Sequence, residues 1–374
     1  MTRNAERPYN ELPLLPPEVD YESKAVLKGA IRARAALAAL DQAAKRMQNP
    51  LVLINSLSLL EAQASSEIEN IVTTTDELFR FAEEPIVDAA SAETRETLRY
   101  RSALFAGLVA IEKRPITVNT AVEICMNIHS RDIGVRRLPG TYIGNPRTRT
   151  PIYTPPTGES VILEKLGNWA EFLNTNEDID PLVVMAIAHY QFEAIHPFED
   201  GNGRTGRILN VLQLVQAGLL NAPILYLSRY IIQNKDEYYR LLLAVTVEGA
   251  WEEWIRFLLR GIDETATRTL RKIDRIQDLQ EEFRIDIKAH TSAGSNADLL
   301  DVLFENPYAR INQVVTRCGV SRPTATGWLN ALVQRELLFD IKIGRERLFV
   351  NTRLMRILAQ EEDLPPRPGD ERLF

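Results

Sequence analysis

The chain has 374 residues, 45% apolar and 25% charged, with a formal net charge of -7; this supports a sizeable core in about two to three domains and excludes a global attraction to nucleic acid or anionic membrane. Its two cysteines, Cys125 and Cys318, exclude a disulfide framework and a cysteine metal site. No apolar run approaches the ~18–20 residues that span a bilayer, and the first twenty residues lack a signal-peptide core, so a soluble, cytoplasmic chain with no membrane partner is expected.

Residues 1–20, rich in proline and polar groups, predict an extended arm. From Ser23 alanines and leucines recur at spacings of three and four, the period of an amphipathic helix. Asn49-Pro50 breaks it, and a second helix is expected from Leu53 to about Ile71. Thr75 or Asp76 then caps another helix start. Helices are predicted near 94–113 and 118–130. Between Leu138 and Gly158 proline, glycine and threonine dominate, which reads as a loop with a short hairpin. Helices resume near 160–175, 181–195, 204–217, 235–248 and 251–260. A charged helix is predicted over 261–289, then a linker over 291–296. The expected division is 1–92, an N-terminal helical region; 93–260, a core; 261–296, a connecting helix and linker; and 297–374, a separate unit with a tail. The fold class is mainly α.

The most informative run is HPFEDGNGRTGR, His196 to Arg207. It lies between an apolar helix pattern ending at Pro197 and a second one stopping near Gly218. Gly201 and Gly203 permit backbone conformations that other residues resist. Successive amides there can form an anion-binding nest, and the next helix points its positive end at the same place. Arg204 and Arg207, three apart, share one face of its first turn. Cations at a helix N-terminus are normally unfavourable, so two of them suggest a polyanion in the gap. Asp200 offers a hard oxygen for Mg²⁺ beside phosphates, and a neutral His196 can accept a proton. Each piece alone has a structural reading as a helix cap, a turn or a surface ion pair. The combined spacing points to phosphate-group transfer with a general base.

This combination resembles the Fic family, whose pattern H-x-F-x-[D/E]-G-N-G-R-x-x-R the chain matches at every fixed position. The resemblance implies a helical Fic core with a small β-hairpin flap, and a protein adenylyltransferase that moves AMP from ATP, with Mg²⁺, to a Ser, Thr or Tyr hydroxyl of a target protein or of itself. It gives His196 the role of base and Asp200 that of Mg²⁺ ligand. It puts Phe198 in the core and forms the anion hole from Gly201, Asn202 and Gly203. Arg204 would contact the α- and β-phosphates and Arg207 the γ-phosphate. Tyr142 to Pro156 would be the target-docking flap, or an ordinary surface hairpin, and Tyr239 would border the adenine.

The run SSEIEN, Ser65 to Asn70, fits the family's inhibitory pattern [S/T]-x-x-x-E-[G/N]. Ser65 and Glu69, four apart, face the same way on a helix. The resemblance implies that Glu69 pairs with Arg207, in bidentate fashion, and takes the guanidinium from the γ-phosphate.

Residues 297–350 read as helix, helix, turn, helix and hairpin, with Ser321 as N-cap and Pro323 in the first turn. This resembles a winged helix-turn-helix domain. Nine Arg/Lys against six Asp/Glu over 297–360 leave both DNA and protein partners open. Arg322, Thr324, Thr326 and Lys342 are the candidates to approach DNA. A homodimer also stays open. The competing functions are removal of AMP by way of Glu69, and a nucleotide-sensing DNA-binding regulator.

Overall fold

A computed structural model describes residues 4–82, 90–145, 150–176, 178–294, 296–343 and 346–360. Helix α1 (Lys24–Arg46) buries Val26, Ala30, Ala33, Leu37 and Leu40, a stripe at the helical period. Helix α2 (Leu51–Ile68) starts where the Asn49 side chain accepts the Leu51 N–H at 3.0 Å. It ends three residues earlier than expected, because Asn70 takes a left-handed φ of 63°, a conformation asparagine tolerates well. Helix α3 (Thr75–Phe81) is capped by Thr74, whose hydroxyl accepts the Glu77 N–H; the cap is one residue before the expected pair. Helices α4 (Ala92–Ile111) and α5 (Val118–His129) follow, each with a side-chain cap, Ser91 and Thr117.

Strands β1 (Ile143–Asn145) and β2 (Thr150–Tyr153) form the predicted hairpin, antiparallel with Ile143 opposite Tyr153. The tip of the predicted flap, 146–149, lies outside the described residues. Then come α6 (Glu159–Thr175), α7 (Pro181–Ile195), α8 (Asn202–Gln216), α9 (Ser228–Gln233), α10 (Lys235–Glu248) and α11 (Trp251–His290). Two expectations change. The N-terminal segment is no free arm: Leu12 and Leu15 are buried, the Leu12 carbonyl accepts from Lys165 Nζ at 2.6 Å, and Leu15 exchanges bonds with Asn168. The predicted break near 260 is absent, and α11 runs on for 40 residues. Gly261 in its middle costs only about 1 kcal/mol, and a Cβ there would lie 2.6 Å from the Tyr230 ring, which fills the gap.

The chain forms two compact units. The first comprises 1–41 and 57–265, and the second 42–56 and 266–374. The second adds α12 (Ala297–Glu305), β3 (Tyr308–Arg310), α13 (Ile311–Cys318), α14 (Arg322–Gln334), β4 (Phe339–Ile343), β5 (Glu346–Val350) and α15 (Thr352–Ala359). Ser321 caps α14 as expected. The predicted hairpin is present as β4 and β5, and β3 adds a third antiparallel strand, order β3-β5-β4; three residues of β3 are too few to show a period of two. No helix among the described residues is long and apolar enough to cross a membrane.

Candidate active site

The site is built on α7 and α8. Helix α7 begins at Pro181 with Asp180 as its cap and is buried on almost every side. Two indole N–H groups fix it through its carbonyls, Trp254 to Ala186 at 2.7 Å and Trp169 to Ala188 at 3.0 Å. His196 closes the helix in the left-handed region, φ 50° and ψ 60°. Pro197 prevents another turn, which leaves the last carbonyls without helical partners. Arg136, buried, takes them: Nε donates to the His196 carbonyl at 2.8 Å, and Nη2 to those of Ile195 and Pro156. A cation there also complements the negative helix end.

This setting fixes the charge of His196. Burial pushes its pKa down to about 4, the Arg136 guanidinium adds to that, and the Glu193 carbonyl opposes it. The imidazole is therefore neutral near pH 7 and competent to take a proton. His189, wholly buried, is pushed down to about 3 for the same first reason. Both values lie below the ordinary 6.5, so between pH 6.5 and about 4 the unfolded chain binds more protons than the folded one. The two histidines therefore contribute less stability as pH drops through that window, while Glu193, its buried carboxyl pushed up to about 7, offsets part of the loss. In a Glu193→Gln protein, which lacks that offset, urea midpoints at pH 7, 6 and 5 should decrease in that order.

The loop from Pro197 to Gly201 is closed by two internal contacts. Phe198 is fully buried, 6.3 Å from the Phe192 ring centroid. The Asn202 side chain accepts the Phe198 N–H at 2.8 Å and donates to the Phe198 carbonyl at 2.9 Å. Gly201 has φ 84°, and a Cβ there would lie 2.5 Å from His129 Nε2, so glycine is needed twice over. Helix α8 starts without a side-chain cap bond. The N–H groups of Asn202 and Gly203 therefore lie at the positive helix end without a side-chain cap. The Asp200 carboxylate, 66% exposed, lies 3.8 Å from Arg204 and 4.0 Å from His129.

The two arginines diverge. Arg204 turns to α4, where Nη1 donates to Glu96 Oε1 at 2.5 Å, while its buried Nε has no partner. Arg207 turns to α2. Its Nε donates to the Ser65 hydroxyl at 2.8 Å, and Nη2 donates to the Ser65 carbonyl at 2.9 Å and to Glu69 Oε1 at 2.8 Å. The expected bidentate fork on Glu69 is a single ionic bond, because Ser65 occupies the Nε edge. Glu69 lies just past the end of α2, and Lys235 Nζ holds the Ile68 carbonyl before it at 2.7 Å. Burial opposes charge on Arg207, but the Glu69 carboxylate together with Tyr238, Glu193 and Tyr100 outweighs it and keeps the guanidinium protonated. A Cβ on Gly203 would collide with the Glu69 carboxylate and the Arg207 guanidinium, so glycine there leaves room for that pair.

Tyr239 is 43% exposed on α10, its ring 5.2 Å from that of buried Tyr238. Several neighbours escaped the sequence reading. Arg136 and Glu96 are remote in sequence from His196–Arg207. Glu61 is buried behind Ser65, and the Tyr100 and Ser228 hydroxyls donate to it. Glu193 was legible as the one carboxylate on the mostly apolar α7, one turn before His196.

Three family models match separate parts of the chain. The Fic/DOC family N-terminal model matches residues 27–109, the Fic/DOC family model 120–214, and the C-terminal domain model of SoFic-like protein adenylyltransferases 279–354. Protein adenylyltransferase fic-1 of Caenorhabditis briggsae is 28% identical over 167 residues, 43% of this chain and 30% of that protein. A probable protein adenylyltransferase of Aquifex aeolicus is 42% identical over 77 residues, 21% of this chain and 23% of that one. The chain thus spans less than a third of these two curated relatives. A Fic family protein from Desulfovibrio desulfuricans has the same fold at TM-score 0.55 and 20% identity, covering 90% of this chain and 98% of that one. A segment of Fic-1 from C. elegans matches at 0.50 and 22%, covering 68% and 74%. With N-terminal, core and C-terminal models in that order along it, the chain belongs to the Fic/DOC family.

Proposed function

We propose that the chain is a protein adenylyltransferase, inhibited by its own Glu69. The observation that carries this is the pairing of Arg207 with Ser65 and Glu69 beside an uncapped helix N-terminus and a neutral histidine. The names of the relatives support the same activity. ATP fits the residues present: the α8 amides, the unpartnered Nε of Arg204 and the Arg207 guanidinium all offer donors to a polyphosphate, which has only acceptors. His196 takes the proton of a target Ser, Thr or Tyr hydroxyl. The hydroxyl oxygen attacks the α-phosphorus, the bond to the bridging oxygen breaks, and pyrophosphate leaves. Gly201, Asn202 and Gly203 hold the α-phosphate, Arg204 the α- and β-phosphates and Arg207 the γ-phosphate, so catalysis is positioning and charge stabilisation. Tyr239 borders the adenine, and the β1–β2 hairpin pairs with an extended target segment.

Among the described residues no group of three or more His, Cys, Asp or Glu could hold a metal alone. One exposed carboxylate, Asp200, with phosphate oxygens suits Mg²⁺, which when bound neutralises charge on the phosphates. The reaction class is tested by ATP labelled at the α- or at the γ-phosphate. Label should reach protein from the α-position alone; transfer from the γ-position would make the enzyme a kinase and sink the reading.

Residues 297–350 we read as a winged helix. Arg322, at the start of α14, and Lys342, on β4, are exposed, as a DNA-facing helix and wing require. Arg310, Arg317, Arg347 and Arg353 are already in ion pairs, so any DNA contact is made by few cations. DNA affinity should then fall with salt at a shallow slope of about two to three counterions. Absence of binding at low salt would assign this unit to a protein partner.

A further inference from the structure

Around Gly203 and Gly206 of α8 several polar groups already have partners. Arg207 is held by Ser65 and Glu69. The Tyr238 hydroxyl shares a 2.9 Å hydrogen bond with His189 Nε2, while His189 Nδ1 and Arg204 Nε stay unpartnered. Glu193, on the last turn of α7, is the one carboxylate among the described residues with a buried oxygen left unpaired. Its Oε1 is buried with no hydrogen-bond partner, lodged against Gly206, where a Cβ would lie 2.6 Å away. Gly203 and Gly206 are three apart on one helix face. Glu193 over Gly206 is thus the neighbour of Arg207 and Glu69 over Gly203, and its charge is felt by Tyr239 on α10. Burial pushes its carboxyl up to about 7, Glu69 adds to that, and Arg207 opposes it. A buried acceptor without a partner is rare enough in folded chains to need a use.

We propose that Glu193 binds the sugar of the nucleotide, its carboxylate accepting hydrogen bonds from the ribose hydroxyls. This rests on the reading of the site as an ATP site. Polyphosphate offers no donor, and a carboxylate beside it is repelled. With the phosphates on Arg204 and Arg207 and the base against Tyr239, the hydroxyl donors of the sugar lie between these anchors. A carboxylate is a suitable acceptor for a ribose hydroxyl. Glu193 is therefore a specificity residue that selects ribonucleotides.

The test measures binding of ATP, 2′-deoxy-ATP and 3′-deoxy-ATP to the full chain carrying Glu69→Gly. ATP should bind more tightly than at least one deoxy analogue, on the order of ten- to a hundredfold, the worth of a hydrogen bond to a charged group. Adding Glu193→Met keeps the volume and removes the acceptor, and should abolish the preference. Adding Glu193→Gln keeps a neutral acceptor and should restore part of it. Equal binding of the three nucleotides to the Glu69→Gly protein overturns the assignment without any change at position 193, so a misfolded Met variant does not protect it. An unchanged preference in a folded Glu193→Met protein overturns it as well. Binding of none of the three would instead remove the ATP site, and this inference with it.

Discussion

Replacing Glu69 with glycine should raise AMP incorporation into protein by roughly ten- to a hundredfold. In the present arrangement Arg207 is 3% exposed and spends Nη2 on Glu69 and on the Ser65 carbonyl. Removing one partner of a buried pair leaves the other charge uncompensated, at about 3–5 kcal/mol. ATP offers that charge a new partner in its γ-phosphate. Ser65 keeps its two bonds to Arg207, so the gain falls below the full figure. Glu69 lies in a turn and is one-third exposed, so its loss should leave the fold intact. The readout is label from α-labelled ATP on the protein itself and on a lysate. Tighter ATP binding with no rise in transfer would mean that Glu69 restrains affinity and not the reaction.

Removing the imidazole of His196 should cost about 10²–10⁴-fold in transfer rate and leave ATP affinity nearly unchanged. The group acts on the attacking hydroxyl, and the phosphate contacts come from α8. His196 sits at φ 50°, where alanine is strained and asparagine is not. His196→Asn is therefore the cleaner variant, with His196→Ala beside it. Single-turnover rates at saturating ATP and separate dissociation constants distinguish the two effects. A His196→Asn protein that transfers at the unaltered rate would remove the general-base assignment.

How much of this was legible in the sequence follows from how local each signal is. The helices of the first unit were readable because their stripes repeat over several turns, as in Val26 to Leu40 of α1. The His196–Arg207 loop was readable because its chemistry sits within twelve consecutive residues. The match of Ser65 and Glu69 to Arg207 needed a family pattern, since nothing local ties positions separated by more than a hundred residues. The partners of Arg204 and the His196 carbonyl, Glu96 and Arg136, left no such trace. Each is one charged residue whose meaning appears only when α4 and the loop before β1 pack against α7 and α8. The bidentate geometry failed for a related reason: spacing says which groups meet, and side-chain packing decides which nitrogen Ser65 claims. The break near 260 failed because Gly261 weakens a helix only slightly, while Tyr230 packing against it favours continuity.

The proposed inhibition makes one guanidinium, that of Arg207, contested by Glu69 and by ATP. Its most direct test is incorporation of α-labelled AMP by four folded proteins in parallel: the unaltered chain, Glu69→Gly, Arg207→Ala and the double variant. High incorporation is expected for Glu69→Gly alone, and low, matching incorporation for Arg207→Ala and the double variant, because Glu69 acts only through Arg207. Equal or lower incorporation by Glu69→Gly than by the unaltered chain, or a double variant as active as Glu69→Gly, would contradict it.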